Sequence, residues 1–280
     1  MKISMHAHAK INWSLAICGE RADGYHDLDM LMQRIGLCDE LSFESARWLT
    51  LSVNGQRLPV DSRNLVVRAA NALNDVFGTR HGARITLKKN IPARAGLGGG
   101  SADCAATLIA LNKLWDLKLP LRTLVKIGLQ LGADVPFCLT GGLCRAEGVG
   151  EILTSLTPPA ETALVLNTPG GGLSTPAVFK AWNEGGHACA GIDNLALAEA
   201  LAVGDLVRAD ALTRNDLEVA AIALMPEIGT LMQRYRELGA QFVRMSGSGS
   251  TVFAAFADMD AARAAAEAVP GSIVTHTIAK

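Results

Sequence analysis

The sequence predicts an α+β protein built as two lobes, and three observations carry that reading. At 280 residues, 49% hydrophobic and only 19% charged, the chain is long enough to fill more than one core. Its hydrophobic period changes along the chain, from strict alternation near the N-terminus to three-and-four spacing further on, so strands and helices are interspersed. A stretch with two prolines, Leu156 to Ala160, separates two halves that each contain both kinds of element. The expected domains are therefore residues 1–156 and 157–280.

The first element is the most regular. Ile3, Met5, Ala7, Ala9, Ile11, Trp13, Leu15 and Ile17 fall on one face, and Lys2, Ser4, His6, His8, Lys10, Asn12 and Ser14 on the other. This is a long strand with one buried face. Lys10 and Asn12 stand side by side on the opposite face, a pattern that fits a solvated strand surface as well as a site. Asp23-Gly24 marks a turn, Tyr25 and His26 follow it, and alternating segments then predict further antiparallel strands. Asn64 reads as the N-cap of a helix ending near Phe77, with Gly78 as its terminator. Residues Ala83 to Ile91 predict a strand that runs into a glycine-rich loop. Ser101 is then expected to cap a helix with a broad apolar face of Ala105, Leu108, Ile109, Ala110 and Leu111. Another helix spans Leu121 to Gly132. Asp134 lies between that glycine and an expected Val135-Pro136-Phe137 turn, where it fits a turn former or a carboxylate in apolar surroundings. Gly141, Gly142 and the residues to Ile152 predict a strand pair.

The second half opens on a strand from Ala163 to Asn167 and a Pro-Gly-Gly-Gly turn. Ser174-Thr175-Pro176 starts a helix carrying Phe179 and Lys180, with proline in its first turn. Helices are expected over Asn194–Ala202, Asn215–Leu224 and Pro226–Leu238, the last stopped by Gly239. A strand from Gln241 to Met245 meets a second glycine turn, Ser246-Gly247-Ser248-Gly249-Ser250. A strand from Thr251 to Phe256, an alanine-rich helix and a strand from Ser272 to Ile278 complete the pattern.

Composition excludes several classes of function. A net charge of −1 argues against a nucleic-acid binder, which needs a basic excess. No apolar run approaches the roughly 20 residues of a membrane span, and the segment MKISMHAHAK lacks the apolar centre of a signal peptide. The cysteines at 18, 38, 104, 138, 144 and 189 form no Cys-x-x-Cys pair, so they predict core thiols in a reducing, cytoplasmic setting rather than a zinc site. His6 and His8 lack a third metal ligand.

The chemistry-bearing segment is Gly96-Leu97-Gly98-Gly99-Gly100-Ser101. Glycines leave backbone N–H groups unobstructed, and the loop delivers them to the start of a helix, where anions are favoured. A glycine cluster between strand and helix also serves tight packing alone. The loop is not a Walker loop, because no lysine precedes Ser101, and it is not a dinucleotide fingerprint, because its third position is serine.

Together the Lys10/Asn12 strand, this loop and the Ser246–Ser250 turn resemble the three motifs of the GHMP small-molecule kinases, a family that includes galactokinase, homoserine kinase and mevalonate kinase. The resemblance extends over essentially the whole chain. Within it, His8-Ala9-Lys10-Ile11-Asn12, Gly24-Tyr25-His26, Gly96 to Ser101 and Gly132 to Phe137 are similar to the branch acting on a cytidine-diphosphate-linked methylerythritol. Histidine stands at position 8 where proline is usual. The resemblance implies a two-lobed fold, with a ribosomal-protein-like N-terminal lobe, a ferredoxin-like C-terminal lobe and the active site in the cleft between them. It also implies transfer of the γ-phosphoryl group of ATP, with Mg2+, to the 2-hydroxyl of that substrate, a step of the non-mevalonate route to isoprenoids. By the same resemblance Lys10 and Asp134 are catalytic, and Pro92, Ala93, Arg94, Ala95, Gly96, Leu97, Gly98, Gly99, Gly100, Ser101 and Ala102 hold the ATP phosphates. Lys89 and Asn64 reach its adenosine, and Ser101 is the candidate Mg2+ contact. Tyr25 and Phe179 cover the cytosine faces, His26 meets its edge, and Asn12, Thr175 and Gly247 complete the substrate site. The expected assembly is a monomer or homodimer. A homoserine- or mevalonate-type kinase is the alternative within the family, and a non-catalytic sensor the alternative outside catalysis; the presence of both Lys10 and Asp134 argues against the sensor.

Overall fold

A computed structural model describes residues 2–159, 161–187 and 189–279. Ala160, the last residue of the expected linker, lies outside the described residues. Two compact units form, and neither is one continuous stretch. The first comprises Met1–Ala9, Leu37–Ile91 and Gly98–Thr140, the second Lys10–Gly36, Pro92–Leu97 and Gly141–Lys280. The chain passes from one to the other within two long strands, β1 (Lys2–Glu20) and β2 (His26–Ala46), which pair with each other.

In the first unit β2 runs antiparallel to β4 (Gly82–Lys88), from Glu40 opposite Lys88 to Ala46 opposite Gly82, and β4 runs parallel to β3 (Thr50–Asn54). The helices are α1 (Leu65–Phe77), α2 (Gly99–Leu114), α3 (Leu121–Leu131) and α4 (Val135–Thr140). Helix α1 starts where the sequence places it. The Asn64 side chain accepts from Val66 N at 2.9 Å, and Gly78 ends the helix in the left-handed region at φ 62. Helix α2 begins two residues before the expected cap. Gly98, at φ 66, takes the cap position and accepts the first helical bond from Ala102 N at 2.9 Å, so Ser101 is inside the first turn. From Ala102 to Leu108 every residue of α2 is buried, and the small side chains allow close packing on α1. The expected Val-Pro-Phe turn is the start of α4. Proline is tolerated there because the first-turn N–H groups have no helical acceptor.

In the second unit β2 pairs antiparallel with β5 (Leu143–Gly148), and β5 with β6 (Ile152–Leu156). A separate antiparallel sheet contains β7 (Ala163–Asn167), β8 (Phe242–Met245), β9 (Val252–Phe256) and β10 (Ile273–His276), in the order β10-β7-β9-β8. Counted from β7 this is the 4-1-3-2 order of a ferredoxin-like sheet, as the sequence implied. Among the described residues, the α-helices between β7 and β8 are α5 (Thr175–Glu184), α6 (Asn194–Ala202), α7 (Leu206–Leu212), α8 (Glu218–Leu224) and α9 (Glu227–Glu237). Helix α10 (Met259–Ala268) joins β9 to β10. The sequence pattern did not reveal α7, whose seven residues bury only Leu206 and Ala209. Helix α8 starts at Glu218 rather than Asn215, because Arg214 and Asp216, either side of Asn215, bond to β1 instead: Leu15 N donates to Arg214 O and Asp216 N to Leu15 O, each at 2.9 Å.

Burial along β1 changes character at the unit boundary. Residues up to Ala9 alternate, whereas Lys10, Asn12 and Ser14 are no more than 5% exposed, so the polar face of that half is covered rather than solvated. Trp13, on the apolar face, meets Phe242 and Phe253 edge-on at 4.9 and 5.5 Å between centroids.

Glu218 is partly buried and accepts from Met245 N at 2.7 Å. Burial, opposed by the Met245 N–H and the Arg244 and Arg236 guanidiniums, raises its carboxyl from the ordinary 4.5 to about 7. The folded chain therefore keeps this proton over a range in which the unfolded chain has lost it. Stability falls as pH rises from about 4.5 to about 7, by roughly 3 kcal/mol at most, and levels off above that. Glu218→Gln removes this dependence. Urea denaturation of both proteins across that pH interval should show the variant gaining steadily on the wild type, and a constant offset would contradict the assignment.

Candidate active site

The first and third sequence motifs meet within the second unit. On β1, Lys10 Nζ donates to Asn12 Oδ1 at 2.6 Å, and Asn12 Nδ2 lies 3.4 Å from Met30 Sδ. The backbone of the same strand reaches two loops: Lys10 N donates to Leu97 O at 3.0 Å and Asn12 N to Ser246 Oγ at 3.3 Å. Ser246 Oγ in turn donates to Gly96 O at 2.9 Å, and Thr251 N donates to Ala95 O at 3.2 Å. One glycine is required by this closeness: a β-carbon on Gly96 would lie 2.0 Å from Ser246 O. At Gly247 a β-carbon would lie 3.3 Å from Gly96 O, 3.4 Å from Lys10 Nζ and 3.5 Å from Asn12 Oδ1, and glycine is favoured there by the backbone conformation. Gly96 and Gly247 also have φ values of 77 and 56.

The glycine loop is shared between the units. Pro92, Ala93, Arg94, Ala95, Gly96 and Leu97 belong to the second, and Gly98, Gly99, Gly100, Ser101 and Ala102 to the first. In the first unit the loop ends on the N-terminus of α2, which no side chain caps. A β-carbon on Gly99 would lie 2.9 Å from Ile91 Cγ2, so the loop backbone rests directly on the strand end beneath it. Lys89 completes that floor, its Nζ 3.3 Å from the same point. Its ammonium is held by Asp39 and, at 2.8 Å, by Asp103, and all three side chains are buried. Burial raises the Asp103 carboxyl; Lys89 lowers it and Asp39 raises it further. Asp39 Oδ1 also accepts from Asn90 N and Ile91 N at 2.6 and 2.9 Å, fixing the entry to the loop. Asn64 uses its side chain locally, capping α1 and donating to Pro59 O at 2.8 Å. Ser101 Oγ is 3.8 Å from the β-position of Gly132, which places it against the turn carrying Asp134. Asp134 is partly buried, and its carbonyl accepts from Cys138 N at 3.1 Å.

An aromatic station lies in the second unit. His26 stacks on Phe179 at 5.0 Å and meets Trp182 edge-on at 5.6 Å, while its Nε2 is 2.8 Å from Asn183 Oδ1. Tyr25 next to it is 65% exposed, a ring with one side open to a ligand. Thr175 Oγ1 lies 2.8 Å from Ser248 Oγ, which joins the start of α5 to the third glycine turn. Sequence reasoning missed Asn183 and Trp182, and named Ser246 only as part of the Ser246–Ser250 turn, without its bonds. Asn183 was signalled by its position four residues after Phe179 on one helix; nothing local gave the partners of Ser246, which are distant in sequence.

Among the described residues no group of three or more His, Cys, Asp or Glu is arranged to hold a metal ion, and no helix is long and apolar enough to cross a membrane.

Two family models match the chain: GHMP kinases N terminal domain over residues 64–142 and GHMP kinases C terminal over residues 197–273. The chain is 43% identical to a 4-diphosphocytidyl-2-C-methyl-D-erythritol kinase of Pelotomaculum thermopropionicum, over 94% of this chain and 92% of the relative. A crystal structure of 4-(cytidine 5'-diphospho)-2C-methyl-D-erythritol kinase superposes with a TM-score of 0.86 at 36% identity, covering 98% of this chain and 99% of the other. A homoserine kinase from Cytophaga hutchinsonii shares the fold at a TM-score of 0.72 and 20% identity, covering 99% of this chain and 95% of the other. The chain belongs to the GHMP kinase family, in the branch of the 4-diphosphocytidyl-2-C-methyl-D-erythritol kinases.

Proposed function

We propose that the protein transfers the γ-phosphoryl group of ATP to the 2-hydroxyl of 4-diphosphocytidyl-2-C-methyl-D-erythritol, a step of the non-mevalonate route to isoprenoid precursors. Membership of a kinase family implies ATP as the donor. What carries the choice of acceptor is the aromatic station of Tyr25, His26 and Phe179 in the unit that also holds Lys10 and Asn12. Flat rings suit a nucleobase and have no use for an amino acid or a short hydroxy acid, and base–aromatic contacts are worth about 1–3 kcal/mol each.

The residues fit ATP. An uncapped helix start, with Gly96 and Gly98 before it and Gly99 and Gly100 in its first turn, would present N–H donors and the positive dipole end to phosphate oxygens, and the loop needs no Walker lysine to do so. In this reading Lys89 and Asn64 shape the nucleotide side, Lys89 as the charged floor under Gly99 and Asn64 as the residue that starts α1. Mg2+ would be held by Ser101 and by the nucleotide phosphates, whose charge it would offset.

Asp134 would accept the hydroxyl proton as the oxygen attacks the γ-phosphorus and ADP leaves. Lys10, oriented by Asn12, would stabilise the developing alkoxide and the charge on the moving phosphoryl group. Gly247 would let the substrate approach the backbone closely, with Thr175 beside it through Ser248. The six cysteines are thiols, which favours a reducing, cytoplasmic setting.

Asp134→Asn should lower kcat by about 10²- to 10⁴-fold while ADP affinity, measured by calorimetry, stays within about twofold. Full turnover by that variant would remove Asp134 from the mechanism. Tyr25→Ala should raise KM for the cytidine-linked alcohol about tenfold or more and leave KM for ATP nearly unchanged; equal losses for both ligands would refute stacking. Turnover of homoserine or mevalonate, with none of the cytidine compound, would overturn the substrate assignment itself.

A further inference from the structure

The segment that leads into α8, Thr213-Arg214-Asn215-Asp216-Leu217, with Glu218 at the helix start, is used by nothing in the proposed chemistry. It is nevertheless bonded on two sides. On one side it is pinned to β1: Thr213 Oγ1 donates to Trp13 O, Leu15 N to Arg214 O at 2.9 Å, Asp216 N to Leu15 O at 2.9 Å, and Ile17 N to Asp216 Oδ2 at 2.8 Å. On the other side it grips the third glycine turn. Asn215 Nδ2 donates to Met245 O at 2.9 Å and to Gly247 O at 2.8 Å, while Glu218 Oε1 accepts from Met245 N at 2.7 Å.

Asn215 is 4% exposed, and every polar atom of its amide has work. Its Oδ1 accepts from Leu217 N at 3.0 Å, so the side chain cannot be turned over without breaking three bonds. The carbonyls it serves flank the start of the Ser246–Ser250 turn, Met245 at the end of β8 and Gly247 inside the turn, and the β-position of Gly247 lies 3.4 Å from Lys10 Nζ and 3.5 Å from Asn12 Oδ1. The serines of the turn are held by their own side chains, Ser246 to Gly96, Ser248 to Thr175 and Ser250 to Pro169, whereas Gly247 has no side chain and its carbonyl is held by Asn215. β1 carries Lys10 and Asn12 near its middle and binds the Asn215 segment a few residues on. One short segment therefore fixes both partners of the same contact.

We propose that Asn215 is a positioning residue for phosphoryl transfer, setting the Gly247 backbone against the Lys10–Asn12 pair, with Glu218 as the second anchor of the same turn. The proposal rests on the functional reading above. It differs from a merely structural role in what it affects: the acceptor side and turnover, and not the nucleotide loop.

The test compares Asn215→Asp, Glu218→Ala and Glu218→Gln with the wild type. Asn215→Asp keeps the shape and the Leu217 acceptor but sets a carboxylate against two carbonyls. It should lower kcat/KM for the acceptor on the order of 10- to 100-fold, with kcat falling and ADP affinity within about twofold of wild type. Glu218→Ala should show the same split, and Glu218→Gln, which keeps an acceptor for Met245 N, should recover most of the loss. A folded Asn215→Asp protein with unchanged kcat and acceptor KM would overturn the proposal, as would a loss shared equally by ADP binding. If Asn215→Asp does not fold, the Glu218 pair decides: equal kinetics for alanine and glutamine refute the anchoring. The wild type is first offered the cytidine-linked alcohol, homoserine and mevalonate. Failure on the cytidine compound refutes the functional reading alone, because the variants are then compared on whichever acceptor is phosphorylated or, with none, on ATP hydrolysis.

Discussion

The contact between Gly96 and Ser246 is the constraint on which the rest of the second unit's site depends. A β-carbon at Gly96 would fall 2.0 Å from Ser246 O, and both partners are backbone, so no side-chain rotation relieves the clash. Residue 96 must be glycine while the turn stays where it is. That closeness lets one hydroxyl, Ser246 Oγ, bond to Gly96 O and Asn12 N together. Lys10 N is bonded to Leu97 O, one residue further along the same loop. The strand bearing Lys10 and Asn12, the loop entry and the glycine turn are thus tied by main-chain geometry before any ligand is present. An order of magnitude in rate follows from displacements well below 1 Å in such sites, which is why backbone rather than flexible side chains is the suitable material.

The two units solve the cost of buried polarity differently. Taking an ammonium out of water costs several kcal/mol unless it is paired. The first unit meets this with charge: Lys89 is enclosed by Asp39 and Asp103, and the raised carboxyl of Asp103 keeps the trio close to neutral. The second unit relies largely on amides. Asn12 receives the Lys10 ammonium, Asn215 serves two carbonyls, and Asn194 bridges Ser14 Oγ and Asp29. An amide donates and accepts at fixed angles without changing charge, so Asn12 and Asn215 hold their partners by groups that do not titrate.

Much of this was legible in the sequence, and the parts that were not share a cause. Helix α1 was fixed by local chemistry, Asn64 at one end and Gly78 at the other, and both act as read. Strand β7 and helix α6 were likewise given by their own residues. Errors came where distant contacts decide. Ser101 is inside α2 because Gly98 can take a left-handed conformation and start the helix sooner. Lys10 and Asn12 are covered, although alternation alone allowed a solvated face, because residues some 230 positions later, around Ser246, pack on them. Asn215 was read as helix because three-and-four spacing includes it; the bonds of its neighbours to β1, and its own to Met245 O and Gly247 O, are invisible to any local pattern.

On the proposed reading, the fate of Lys89 explains how this loop would bind phosphate without the lysine of a Walker loop. A lysine does stand near the glycines, but its side chain is only 3% exposed and two carboxylates hold it. It cannot extend to a ligand without leaving Asp39 and Asp103 buried and unmatched, at a cost of several kcal/mol. Its charge instead acts through the backbone, beneath Gly99 at the first turn of α2. Each helix-end interaction with an anion is modest, about 0.3–1 kcal/mol when exposed, so recognition has to be distributed over successive N–H groups. That requires several glycines in a row and a rigid floor under them. The run Gly98-Gly99-Gly100 and the Asp39–Lys89–Asp103 trio are therefore two halves of one device: the glycines expose the donors, and the buried charges keep those donors from moving.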